Sequence, residues 1–93
     1  MRIFDSRHNV YDAVNAFIEH GVVVIGGTKT PAIAYIERLK ECLSVYADVE
    51  PILGYENVPN YGYLYFLYDL NRFESRSEEL LRVVTHVDEM NAL

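Results

Sequence analysis

The strand-to-helix turn Gly26-Gly27-Thr28-Lys29-Thr30-Pro31 is the first place where residue types and spacing could do chemistry. A turn of this kind aims backbone N–H groups and a helix N-terminus at an anion. Lys29 adds a charge, and Thr28 and Thr30 add hydroxyls. The spacing is not that of a P-loop, because Thr28 separates Gly27 from Lys29, and it is not Gly-x-Gly-x-x-Gly. Gly26, Gly27, Thr28, Lys29 and Thr30 therefore form a candidate phosphate or small-ligand site, although the same residues also serve a plain turn and cap.

Four of the eight tyrosines fall between Tyr61 and Tyr68. On a strand, alternate residues share a face, so Tyr61, Tyr63, Tyr65, Leu67 and Asp69 lie together. Large rings tipped with hydroxyls have the chemistry of a recognition surface. With no basic neighbours, they do not suggest base stacking. Glu78 and Glu79, with Asp88 and Glu89, give the last helix an acidic side that suits a basic partner. The expected partner-binding residues are thus Tyr61, Tyr63, Tyr65, Asp69, Glu78 and Glu79; a covered tyrosine face and a solvated acidic helix are the competing readings.

The remaining reactive groups form no constellation. His8, His20 and His86 fall on separate elements without ligand spacing, so no metal site is expected. Cys42 lies beside a helix's apolar stripe, as a small buried hydrophobe does. No nucleophile, base and orienting group stand together in the sequence, and no cofactor is expected.

Eight Lys and Arg against fourteen Asp and Glu give a net charge of −6. Such a chain lacks the clustered cations that phosphate backbones reward, so nucleic acid is an unlikely partner. The longest apolar run, Tyr63 to Tyr68, is six residues, against about 20 for a membrane span. One cysteine excludes an internal disulfide. The opening Met-Arg-Ile-Phe-Asp-Ser has no apolar stretch of the secretory kind, which points to the cytoplasm.

These groups must be positioned by a single domain of 93 residues. Arg2–Phe4 reads as a short strand. Asn9 caps a helix whose apolar residues Val10, Ala13, Val14, Phe17 and Ile18 recur at helical spacing, and Gly21 ends it. Val22–Ile25, apolar without alternation, reads as a central strand covered on both faces. Thr30 is expected to cap the next helix, with Pro31 first inside it and a stripe through Ile33, Ile36, Leu39, Leu43 and Tyr46. Val49–Tyr55 reads as a strand, at a sheet edge because of Pro51. Glu56–Asn60 is the expected turn into a strong strand, Tyr61–Leu70, which makes an antiparallel hairpin. Ser75 and Glu78 read as a capping box for a last helix that reaches Met90.

The predicted class is α/β, with α+β possible: three helices on a three- to four-stranded mixed sheet, in the order (β)αβαββα. The expected core is Val14, Phe17, Ile18, Val23, Ile25, Ile36, Leu39, Leu43, Leu64, Phe66, Leu80, Val84 and Val87.

Two resemblances cover too little to place the chain. Glu78 to Met90, Glu-Glu-Leu-Leu-Arg-Val-Val-Thr-His-Val-Asp-Glu-Met, is similar to one helix of the DNase-colicin immunity proteins. That likeness implies an acidic face of Glu78, Glu79, Asp88 and Glu89 turned to a toxin, but the family is all-helical and Val22–Ile25 reads as a strand. The order of elements looks like that of the kink-turn RNA-binding ribosomal proteins, whose Asn-Glu-x-x-Lys motif is absent here.

Small size, acidity, tyrosine richness and the missing catalytic constellation make a non-enzymatic protein-binding module the leading expectation, acting as an inhibitor, immunity or counter-defence factor. A phosphate-binding domain built on Gly26–Thr30 and a self-assembling homo-oligomeric subunit are the alternatives.

Overall fold

The computed structural model describes residues 2–86. Strand β1 (Ile3–Phe4) leads to helix α1 (Val10–His20), strand β2 (Val22–Ile25), helix α2 (Lys29–Leu43), strands β3 (Pro51–Val58) and β4 (Gly62–Asp69), and helix α3 (Glu78–Thr85). The four strands form one mixed sheet in the order β1-β2-β4-β3. β1 runs parallel to β2, and the other two pairings are antiparallel. The expected order is observed, with β2 internal and β3 at an edge.

The uninterrupted Val22-Val23-Val24-Ile25 run has a direct cause: all four side chains are buried, alternately on the two faces of the sheet. Val23 and Ile25 pack with Phe17 of α1, with Tyr35, Ile36, Leu39 and Leu43 of α2, and with Leu67 of β4. Val22 and Val24 pack on the other side with Val58, Leu64, Phe66, Tyr68 and, from α3, Leu80 and Val84. Helices therefore cover both faces, two on one side and one on the other.

Local signals explain most boundaries. The Asn9 side chain accepts the Tyr11 N–H at 2.9 Å, and Gly21, at φ +75°, ends α1 by donating to the Phe17 carbonyl at 2.7 Å. The strands expected over Val49–Tyr55 and Tyr61–Leu70 run instead over Pro51–Val58 and Gly62–Asp69, and both later helix caps and the hairpin turn also differ from expectation. α2 begins at Lys29 and is capped by Thr28, not Thr30. Gly27, at φ +100°, completes the reversal early and leaves Thr28 extended, so its carbonyl already accepts from Ala32 N–H at 3.0 Å. Pro31 then falls third in the helix, still within the first turn, where its missing N–H has no intrahelical partner to lose.

α3 is capped by Ser77, whose hydroxyl accepts from Leu80 N–H at 3.2 Å. Arg76, at φ +55°, turns the chain between Ser75 and the helix, which removes Ser75 from capping range.

The hairpin turn is shorter and later than Glu56–Asn60. Strand β3 continues to Val58, and Tyr61 N–H closes onto the Val58 carbonyl at 3.0 Å. Pro59 and Asn60, the latter at φ +74°, supply the proline and the left-handed residue of a type II turn.

The core differs from expectation at Ile18, which is exposed. At 100° per residue it sits roughly 90° from the centre of the Ala13–Val14–Phe17 stripe. Tyr46 lies beyond the end of α2 and is exposed. Phe4, Tyr35, Leu67 and Tyr68 join the core beyond those expected. Val87, Asp88 and Glu89, and with them the expected end of the last helix at Met90, lie outside the described residues.

Candidate functional site

The pairing of β3 with β4 decides what the tyrosines do. Leu53 stands opposite Leu67, Tyr55 opposite Tyr65, and Asn57 opposite Tyr63. In an antiparallel pair, opposed residues point to the same face. All six therefore face the side of the sheet on which α1 and α2 pack. Those helices cover Leu67 completely and Tyr65 in part, and the hairpin then runs on beyond them. Tyr63 is left 67% exposed, Tyr55 61% and Leu53 41%. The Tyr55 ring lies 5.6 Å from that of Tyr63 and 6.4 Å from that of Tyr65, centroid to centroid. The result is a contiguous aromatic cluster open to solvent.

A shallow depression of about 450 Å³ adjoins this cluster along the sheet edge, lined by Leu53, Gly54, Tyr55, Glu56, Tyr63 and Arg76. Arg76 forms one wall and donates to Glu56 Oε2 at 3.0 Å. That pair leaves the depression with little net charge.

The expected partner-binding set divides. Tyr63 and Tyr65 stay in the open cluster. Tyr61 lies exposed in the turn before β4, where the left-handed Gly62, at φ +74°, interrupts the strand alternation expected to place it on that face. Asp69 does not belong with them: it is 3% exposed, and its Oδ1 accepts from Glu50 N–H and Asn71 N–H, both at 3.0 Å. Its carbonyl receives Arg72 N–H and Phe73 N–H at 2.9 Å. Asp69 is the tie that fastens the loop before β3 and starts the turn after β4. Strand periodicity assigned its face correctly but not its depth, since β4 runs from an uncovered hairpin into the closed end of the core. Glu78 and Glu79 are exposed in the first turn of α3, which packs on the opposite face of the sheet. The structure does not bring them into the tyrosine cluster.

Tyr55 and Leu53 complete the cluster and were missed in the sequence. The signal was the hairpin register. Placing the turn at Glu56–Asn60 ended the strand at Tyr55 and hid its pairing with Tyr65.

The Gly26–Thr30 turn keeps its exposed residues from Gly27 to Thr30, while Gly26 is buried. A β-carbon on Gly26 would lie 3.0 Å from Ile3 Cγ2, so this glycine answers a packing need. The Thr28 hydroxyl makes no capping bond. The turn lines neither the edge depression nor a second one of about 350 Å³ between β1 and the end of α1.

Other titratable groups serve local structure. Hydrogen bonds from the Arg7 side chain, then its backbone N–H, hold the Asp5 carboxyl well below the usual carboxylate range. His8 Nδ1 accepts from Asp5 N–H at 3.0 Å, and His86 Nδ1 lies 2.6 Å from the Arg82 carbonyl. Cys42 is half-buried against the α1–α2 core. Among the described residues, no three His, Cys, Asp or Glu converge as metal ligands, and no helix is long and apolar enough to cross a membrane. Compared with family models, curated proteins and solved structures, the chain has no significant match.

Proposed function

We propose that this protein is a non-enzymatic binding module that docks on another protein through the cluster of Leu53, Tyr55, Tyr63 and Tyr65, as an inhibitor, immunity or counter-defence factor would. The observation that carries this reading is the exposure of Tyr55 and Tyr63 on the sheet face where α1 and α2 cover Leu67 and, in part, Tyr65. Tyrosine gives a large contact area for the loss of few rotatable bonds, which is why it recurs at binding hot spots. The net charge of −6 supplies the long-range term and favours a partner with a basic surface.

The test is affinity capture from the native host with the wild-type chain, Tyr55→Ala and Tyr63→Ala, followed by titration of any captured protein in purified form. The expected result is one basic protein bound by the wild type and weakened by about 2 kcal/mol or more in each variant, with rising salt slowing association. A partner held equally by all three chains would reject this surface.

A further inference from the structure

The two edges of the sheet are protected very differently. β1 is two residues long and offers little to pair with. β3 is eight residues long, and its only charged side chain, Glu56, is already paired with Arg76. Natural edge strands usually carry a lysine, a proline, a bulge or an inward charge that prevents further pairing; β3 has a proline only at its first residue, Pro51, and none of these protections along Ile52–Tyr55.

The free backbone groups on this edge can be assigned. Leu70 N–H donates to the Glu50 carbonyl at 2.9 Å, so Glu50 turns its backbone groups toward β4. In an antiparallel ladder the direction alternates. Ile52, Gly54, Glu56 and Val58 therefore also point inward, and Pro51, Leu53, Tyr55 and Asn57 point out. Pro51 has no N–H, and Asn57 N–H is taken by Glu56 Oε1 at 3.3 Å. Among the described residues, the open N–H groups of the edge are those of Leu53 and Tyr55.

We infer that β3 pairs with β3 of a second copy, antiparallel and centred on Gly54, to join two four-stranded sheets into one of eight. In this register Leu53 faces Tyr55 of the second copy, and each exchanges both backbone bonds with its opposite. The two-fold axis repeats the exchange, so four N–H···O=C bonds satisfy all four open donors. The next outward pair is Pro51 against Asn57, the two residues whose N–H groups are missing or occupied. The edge is thus complementary to itself in length as well as direction.

Side chains agree with this register. On the tyrosine face, Leu53 packs across the seam beside Tyr55 and extends the row Tyr65–Tyr55 into the second sheet. On the other face Gly54 meets Gly54, and Ile52 meets Glu56. Moving the centre to Leu53 would instead oppose Glu50 and Glu56, which like charge disfavours. The seam is short, well below the area of a standard stable interface, so the pairing is weak and concentration-dependent. It does not rest on the docking reading above, and Tyr63 lies off the seam.

Sedimentation equilibrium over a range of concentrations tests this, on the wild type, Tyr55→Lys and Tyr63→Ala. The expected result is a reversible monomer–dimer equilibrium that Tyr55→Lys weakens about tenfold or more, with Tyr63→Ala near wild type. Tyr55 is an exposed residue, and circular dichroism confirms that the variant folds. Register is read separately in a Cys42→Ser background. Leu53→Cys with Tyr55→Cys in one chain should oxidise to a covalent dimer faster than either single cysteine. A monomer at every concentration, a dimer indifferent to Tyr55→Lys, or a single cysteine that cross-links as fast as the pair would each overturn the inference. A monomer that instead adds a foreign peptide at this edge also overturns it.

Discussion

Gly54 on the edge strand lies directly against the ring of Phe66 on its neighbour: a β-carbon at Gly54 would stand 2.6 Å from Phe66 Cζ. The glycine is therefore a seat for an aromatic ring, on the face covered by α3. Gly54→Ala forces the ring or the strand to shift, at a cost of about 1–3 kcal/mol. For a domain of this size each kilocalorie lowers Tm by roughly 4–8 °C. Phe66→Leu in the same chain should restore part of the loss. Equal melting temperatures for Gly54→Ala and wild type would show that the contact carries no constraint.

Asp69 and Tyr63 lie on one face of one strand yet should respond in opposite ways. Asp69→Ala leaves the N–H groups of Glu50 and Asn71 without their acceptor, and hydrogen bonds to a charged group contribute about 1.5–3 kcal/mol each. Asp69→Asn keeps an acceptor and should cost less. Tyr63→Ala should stay within about 0.5 kcal/mol of wild type, as exposed substitutions usually do. Thermal melts of the three variants separate an interior tie from an exposed ring.

Tyr35 should make the fold sensitive to alkali. Its ring is fully buried, its hydroxyl donates to the Asn9 carbonyl at 3.3 Å, and burial pushes its phenol above the ordinary range, against an opposing effect of Arg38. An unfolded tyrosine ionises near pH 10 while the folded one keeps its proton. The folded state then binds more protons than the unfolded one, so stability is complete below about pH 10 and falls as pH rises. Tm measured between about pH 8 and 11 should fall more steeply for wild type than for Tyr35→Phe. Parallel curves would remove Tyr35 as the source.

The cap of α3 gives a local test. Ser77→Ala removes the acceptor for Leu80 N–H and should cost about 1 kcal/mol. Ser75→Ala should be close to neutral, because Arg76 turns the chain between that serine and the helix. A larger loss at Ser75 would restore the capping box.

Much of the architecture was legible because local rules acted without competition. The Asn9 and Gly21 caps bounded α1, four β-branched residues in a row made β2 internal, and Pro51 put β3 at an edge. Serine and threonine caps were ambiguous to within two residues, since the left-handed residues Gly27 and Arg76, which fix the point of entry, are set by the packed turn rather than by the capping residue. The α/β class, the order of elements, the acidic charge and the alternation that gathers Tyr63 and Tyr65 on one face were determined by the amino-acid sequence itself. Tertiary structure decided how deeply each alternate residue lies. The helices end before the hairpin does, so Asp69 is sealed, Tyr65 is half covered and Tyr63 is open. It also decided the register of β3 with β4, which brings Tyr55 and Leu53 to the cluster and leaves two outward backbone donors on the edge. Period and propensity are properties of neighbouring residues, whereas depth and register depend on where a separate helix stops and where a turn closes.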